Sequence, residues 1–286
     1  MKKMFFLFAI FSLCMVSTYA QEDTNEPKFD GVDGIVPKEH IANRKPVPYA
    51  YVREADVLWS KTIWRVIDLR EKINLPLYYP TINIDGRKSL TNVLVEALSK
   101  GDLRAYSTTT EDEFAKLLPY EDVKVALGAT TDTVVVRNPE TGLNEQKVIA
   151  NEPRIEEVKK LMLKEVWFFD KNYTRMDVRI IGICPIRESM SDDGSRVDQK
   201  LLFWVYFPQA RPFLARNEVF NLKNDAIRYS FDDIFNKRYF GSYIFRESNV
   251  YNNRAIMGYA AGMETTLEAE RIKNELFVKE HDMWEF

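Results

Sequence analysis

Glu54-Ala55-Asp56-Val57-Leu58-Trp59-Ser60-Lys61-Thr62-Ile63-Trp64-Arg65-Val66-Ile67-Asp68-Leu69-Arg70-Glu71-Lys72 is the stretch on which the first half of the fold turns. Trp59, Ile63, Val66, Ile67 and Arg70 fall at i, i+4, i+7, i+8 and i+11, one face of a helix. Trp64 and Asp68 lie on another face. The spacing predicts a helix over 54–72, with Trp59, Ile63 and Ile67 as its core-facing stripe and with Asn74 and Pro76 as its stop.

Towards the C-terminus, Ser89 is placed to cap a second helix whose buried stripe is Leu90, Val93, Leu94, Ala97 and Leu98, closed by Gly101. Thr110-Glu111-Asp112-Glu113 reads as a capping box before a short helix over Phe114, Leu117 and Leu118, ended by Pro119. Beyond it the period changes to that of strands. Thr133–Arg137 and Gln146–Ala150 form two, joined by the loop Asn138–Asn144. Leu161–Asp170 is a third. Met176–Arg187 alternates, with Val178, Ile180, Gly182, Cys184 and Ile186 on one face. Leu201–Phe207 is apolar on both faces, as in a doubly covered strand. Ser230 caps a helix over 231–238, and Ser242–Arg246 is a short strand. Thr265-Thr266-Leu267-Glu268 opens a last helix to Asp282 with Ala269, Ile272, Leu276 and Met283 inside. The expected class is α+β: a helical N-terminal part, an antiparallel sheet and a C-terminal helix.

The 286 residues are 45% hydrophobic, enough for a sizeable core. Forty basic residues against 43 acidic ones give a net charge of -3, which argues against a nucleic-acid partner. Two cysteines and two histidines exclude a disulfide scaffold and leave few metal options. Lys2 and Lys3 precede an apolar run from Met4 to Val16, and Thr18-Tyr19-Ala20 ends in a small residue before Gln21. That is a signal-peptide pattern over 1–20 with cleavage between Ala20 and Gln21. Leu13 before Cys14 is too large for a lipobox, so Cys14 leaves with the signal and Cys184 remains. Residues 21–48, acidic and with four prolines, read as an extended or disordered arm. The folded body is expected over 49–286, with a sub-boundary near 128–153.

No phosphate-binding glycine loop, H-E-x-x-H or G-x-S-x-G motif is present. Cys184 with His40 or His281 is the best thiol–imidazole pair. Its position between Ile183 and Pro185 on an apolar strand favours a buried structural cysteine. Asp192-Asp193-Gly194 with Asp198 lacks the full calcium-loop pattern and reads as a hairpin turn. The residues therefore offer no catalytic, cofactor or metal site. Trp167-Phe168-Phe169, Phe203–Phe207 and Tyr49-Ala50-Tyr51 could stack on sugars if exposed, which motivates a peptidoglycan-binding alternative; strand spacing favours burial. Asp132-Thr133-Val134 matches an O-glycosylation acceptor pattern at Thr133, against the favoured reading of an ordinary strand entry.

Three segments resemble the gliding-motility protein N family of the Bacteroidetes (GldN, also called PorN). They are Val52–Lys61 continuing through Ile63–Asn74 and Pro76–Pro80, then Glu247-Ser248-Asn249-Val250-Tyr251, and the tail Leu267–Glu275 with Glu280–Phe286. The resemblance implies a non-enzymatic, structural part of the periplasmic ring of the type IX secretion system and gliding machinery. It implies assembly with an outer-membrane lipoprotein of the GldK/PorK type, contact with the periplasmic part of a GldM/PorM type motor protein, and self-association in a ring. It places the protein in the periplasm, against the inner side of the outer membrane through the lipoprotein. No catalytic residue comes with the resemblance.

Overall fold

The computed structural model describes residues 43–283, apart from 85, 110–111, 130, 138–143, 151–152, 191–196, 222–223 and 225–226. Over 131–137 and 144–150 it describes the backbone alone. The signal peptide, the Ala20–Gln21 junction and most of the 21–48 arm lie outside the described residues.

The stretch expected as the first helix is a strand, β1 (Val57–Asp68). The misreading has a physical cause. Positions 59, 63 and 67 are four apart, and four is a multiple of the strand period as well as close to the helical one. Val66, the position that should have separated the two patterns, is buried too, because this half of the strand is covered on both faces. With both faces apolar, composition decides, and Val57, Thr62, Ile63, Val66 and Ile67 are β-branched. The N-terminal part is therefore not a helical layer.

After β1 the chain forms α1 (Leu75–Tyr78), α2 (Leu90–Ser99), β2 (Ala105–Tyr106), β3 (Leu117–Leu118) and α3 (Tyr120–Ala126). The hairpin β4 (Thr131–Arg137) and β5 (Asn144–Ala150) pairs in register from Thr131↔Ala150 to Arg137↔Asn144. The long strands β6 (Val158–Asp170) and β7 (Arg175–Met190) come next, then β8 (Val197–Leu201) and β9 (Trp204–Tyr206). The chain ends with α4 (Phe207–Arg216), β10 (Glu218–Val219), β11 (Tyr229–Ser230), α5 (Phe231–Asn236), β12 (Tyr243–Glu247) and α6 (Met263–Asp282). The main sheet is antiparallel, in the order β12-β1-β6-β7-β9-β2-β3, with β8 paired to β7.

Helix α2 forms as its sequence indicates: Ser89 accepts from the Asn92 amide at 3.2 Å, and Gly101 takes the left-handed φ of +75°. At α5, Ser230 and Asp233 form a full capping box. The capping box at 110–113 opens no helix. Residues 112–116 are irregular, Glu113 is used in an ion pair, and Leu117–Leu118 pair with β2.

One face of the sheet carries the main core, where Ile67, Leu161, Leu163, Ile180 and Ile183 pack against α2, α4 and α5. The same face continues under α6, where Ile63 and Ile244 meet Ala269, Ile272 and Leu276. The opposite face holds Trp64, Val66, Met162, Cys184, Ile186 and Trp204, covered by Phe114 and Phe245. The register of β7 slips against β6 between Lys164 and Glu165, leaving Ile181 unpaired. That bulge divides the expected alternation: Ile180 belongs to the main core, and Cys184 and Ile186 to the other face.

Candidate interaction surface

Two buried carboxylates sit on opposite faces of the β1–β6 pair, each between two cations and a tryptophan. Glu165 accepts from Trp167 Nε1 at 3.1 Å and from Arg238 Nη1 and Nη2 at 3.0 and 3.2 Å, with Arg65 Nε 3.2 Å away. Glu113 accepts from Trp64 Nε1 at 2.9 Å, Lys164 Nζ at 2.7 Å and Arg246 Nη2 at 2.9 Å. The register builds the second cluster, since Trp64 lies opposite Lys164 on β6 and opposite Arg246 on β12. Arg246 also stacks 3.9 Å from the Trp64 ring centre. Burial works to raise the Glu113 carboxyl, and the bonds from Lys164, its own amide and Trp64 outweigh it, so the group stays below the usual carboxylate range. These clusters fix how β1, β6, β12 and the segment around Glu113 sit together. They expose no nucleophile.

The first described residues form a strap over the body. Arg44 pairs with Asp233 at 2.7 Å. The Val47 carbonyl accepts from Arg211 Nη2 at 2.6 Å, and the Ala50 carbonyl accepts from Arg179. Tyr49 lies 4.2 Å from the Arg211 guanidinium and 5.3 Å from that of Arg179. Arg211 is held in turn by a two-point bond to Asp232.

Helix α6 has two apolar sides. Ala269, Ile272 and Leu276 are buried against the sheet. Met263, Leu267, Phe277 and Val278 project on the opposite side, Met263 being 81% and Phe277 68% exposed. Neighbouring charges are neutralised within the helix, Arg271 by Glu268 and Glu275 and Lys273 by Glu270. A solvated helix gains nothing from such a stripe, which makes it the candidate contact surface of the body. A groove of about 960 Å³ runs between this helix and the start of β1 at Trp59, Ser60 and Lys61.

The residues singled out from sequence are dispersed. Cys184 is fully buried, and burial pushes its thiol well above the ordinary range. It lies on the sheet face opposite α6, so His281 at the end of that helix is not its partner. His40, Asp192 and Asp193 lie outside the described residues; Asp198 is exposed on β8. Thr133 stands opposite Val148 in the β4–β5 hairpin, its side chain outside the described part. Trp204 and Phe203 are core, as are Phe168 and Phe169, while Tyr51 is exposed. Among the described residues no group of three or more His, Cys, Asp and Glu is placed to hold a metal ion. None of their helices is long and apolar enough to cross a membrane. Sequence reading passed over the paired carboxylates, which need the strand register to be seen. It also passed over the outer stripe of α6, which the spacing of Met263, Leu267 and Val278 does record.

The family model for the gliding motility associated protein GldN matches residues 52–285, nearly all of the described body. No curated protein matches the chain. The matched range takes in β1, both carboxylate clusters and α6, and on it the chain belongs to the GldN family of gliding-motility and type IX secretion components.

Proposed function

We propose that the protein is a non-enzymatic, structural subunit of a periplasmic ring in the type IX secretion and gliding machinery, held to the outer membrane by a lipoprotein of the GldK/PorK type. The family membership over residues 52–285 carries this reading. The two-sided α6 supports it, because its outer stripe needs a protein surface to cover it. In this reading the subunit associates with copies of itself and contacts the periplasmic part of a GldM/PorM type motor protein. The signal-peptide pattern at 1–20 supplies the address. The part of the acidic 21–48 arm ahead of the strap contacts that Arg44 and Val47 make with the body orders on a neighbouring subunit or on the lipoprotein, at a cost of about 1 to 2 kcal/mol per residue fixed.

The experiment is co-expression with the lipoprotein, with and without residues 21–43, which spares the strap, read by co-purification and by electron microscopy of rings. Co-purification of the full chain with rings is the expected result. A full chain that stays monomeric beside a folded lipoprotein would overturn the reading. Purified sacculi, offered without the lipoprotein, test the peptidoglycan alternative: retention of the chain there would replace the ring-subunit reading with a wall-binding one.

A further inference from the structure

A second concave site lies between β12 and the first turns of α6, on the sheet face that carries Arg65. It encloses about 320 Å³. Arg65 forms its floor, Tyr243, Ile244 and Ile256 its apolar wall, and Thr266 and Lys273 its rim on α6.

Arg65 is the unusual member. Its side chain is only 9% exposed. Its one ionic partner is Glu165, and that carboxylate already receives both Nη groups of Arg238 and the Trp167 indole. Two guanidiniums thus share Glu165, Arg238 from a part-exposed position, and Glu270 is the next carboxylate that acts on Arg65; with Lys273 counted, three cations face two carboxylates. Arg65 Nε is closed to solvent and faces Glu165 at 3.2 Å outside good hydrogen-bond geometry, while the guanidinium lies 5.4 Å from the Trp167 ring centre. Burial draws Arg65 below the usual arginine range, and Glu165 only partly counters it. A buried cation left in this state is costly unless an anion reaches it.

The rest of the site suits an anion that has an apolar body. Lys273 adds a second positive charge on the rim, and Glu270, the carboxylate on that wall, is drawn to Lys273 at 3.4 Å. The first turn of the twenty-residue α6 borders the cavity through Thr265 and Thr266, at the positive end of the helix dipole. A bare inorganic anion would leave Ile244, Ile256 and the exposed Met257 unused.

We infer that this pocket binds a carboxylate carried on an apolar peptide segment of a partner protein, with the carboxylate on Arg65 and the apolar side chain against Ile244 and Ile256. The planar fork of arginine takes a carboxylate at two points, which a lysine cannot reproduce. The inference does not depend on the ring-subunit reading.

The test is an NMR titration of the mature chain with N-acetyl-L-leucine, beside its neutral amide and inorganic phosphate. Saturable shifts at Ile244, Ile256 and Thr266 are expected, with binding at least about tenfold weaker for the amide, or ~1.4 kcal/mol. Arg65→Lys is expected to weaken binding by about tenfold and Lys273→Ala by about threefold. Lys273 is on the rim, so its variant reports even where Arg65→Lys fails to fold. Equal binding of the amide, phosphate binding as tight as the leucine derivative, an unaffected Lys273→Ala, or no saturable shift at all would each overturn the inference.

Discussion

Phe114 stands directly over Gly182: a Cβ placed on Gly182 would lie 2.6 Å from Phe114 Cζ and 3.2 Å from Trp204 Cε3. The glycine is there because the ring needs the space, since its backbone has an ordinary strand conformation. Phe114 meets Tyr106, Trp204 and Tyr206 edge-on and closes the second sheet face, which no helix among the described residues covers. Gly182→Ala is therefore expected to destabilise the body by about 1 to 3 kcal/mol, the usual cost of overpacking. Urea denaturation of the two proteins checks it; an unchanged midpoint would show the ring free to move aside.

Ile63 is fully buried between the sheet and α6, while Leu58, five residues earlier on the same strand, is 64% exposed. Ile63→Asp places an unpaired charge in that core and is expected to cost more than about 4 kcal/mol. Leu58→Asp should stay within about 0.5 kcal/mol. Thermal melts of both variants check it; a Leu58→Asp loss as large as that of Ile63→Asp would show the start of β1 covered.

The carboxyl of Glu113 is held below its ordinary range in the folded state, so its linkage has a definite sign. Its contribution is complete above the unfolded value of about 4.3 and is lost as pH falls through the lower folded value. Stability should drop as the solution is acidified below about pH 4. Glu113→Gln should be less stable near neutrality and should show a shallower acid limb. Denaturation midpoints measured from about pH 7 down to about pH 3, bracketing that window, give the comparison.

Leu267→Glu together with Phe277→Glu alters the outer stripe of α6 and leaves Ala269, Ile272 and Leu276 in place. The double variant is expected to melt within about 1 kcal/mol of the parent, as surface changes do, while losing assembly. Size-exclusion chromatography with the lipoprotein separates the two effects. Assembly at parental strength would move the contact off this helix.

The legible parts of the fold were those in which local chemistry and burial agree. Ser89 and Ser230 cap their helices because a side-chain oxygen and a free amide suffice, whatever lies around them. The β4–β5 and β6 strands were readable from period and turns. Three things needed the tertiary structure. The register that covers Val66 on a second face made β1 look helical. Pro208 and Pro212 hid α4, although one lies in its first turn and the other is tolerated inside. The ion pairs of Glu113 and Glu165 join residues 51 to 133 positions apart, beyond any local pattern. The contact surface was half visible, in the spacing of Met263, Leu267 and Val278.

The strap at 44–50 has a mechanical consequence. Tension drawn on the chain from its N-terminal side reaches the body first at Arg44–Asp233, then at the Val47 carbonyl on Arg211, then at Tyr49 between two guanidiniums. Load is thus passed to α4, α5 and β7 through an ion pair, a carbonyl hydrogen bond and a stacked ring pulled in series, before any of it can peel β1 from the sheet. A chain pulled in this way yields by releasing its strap one contact at a time, with the eight-stranded sheet still whole.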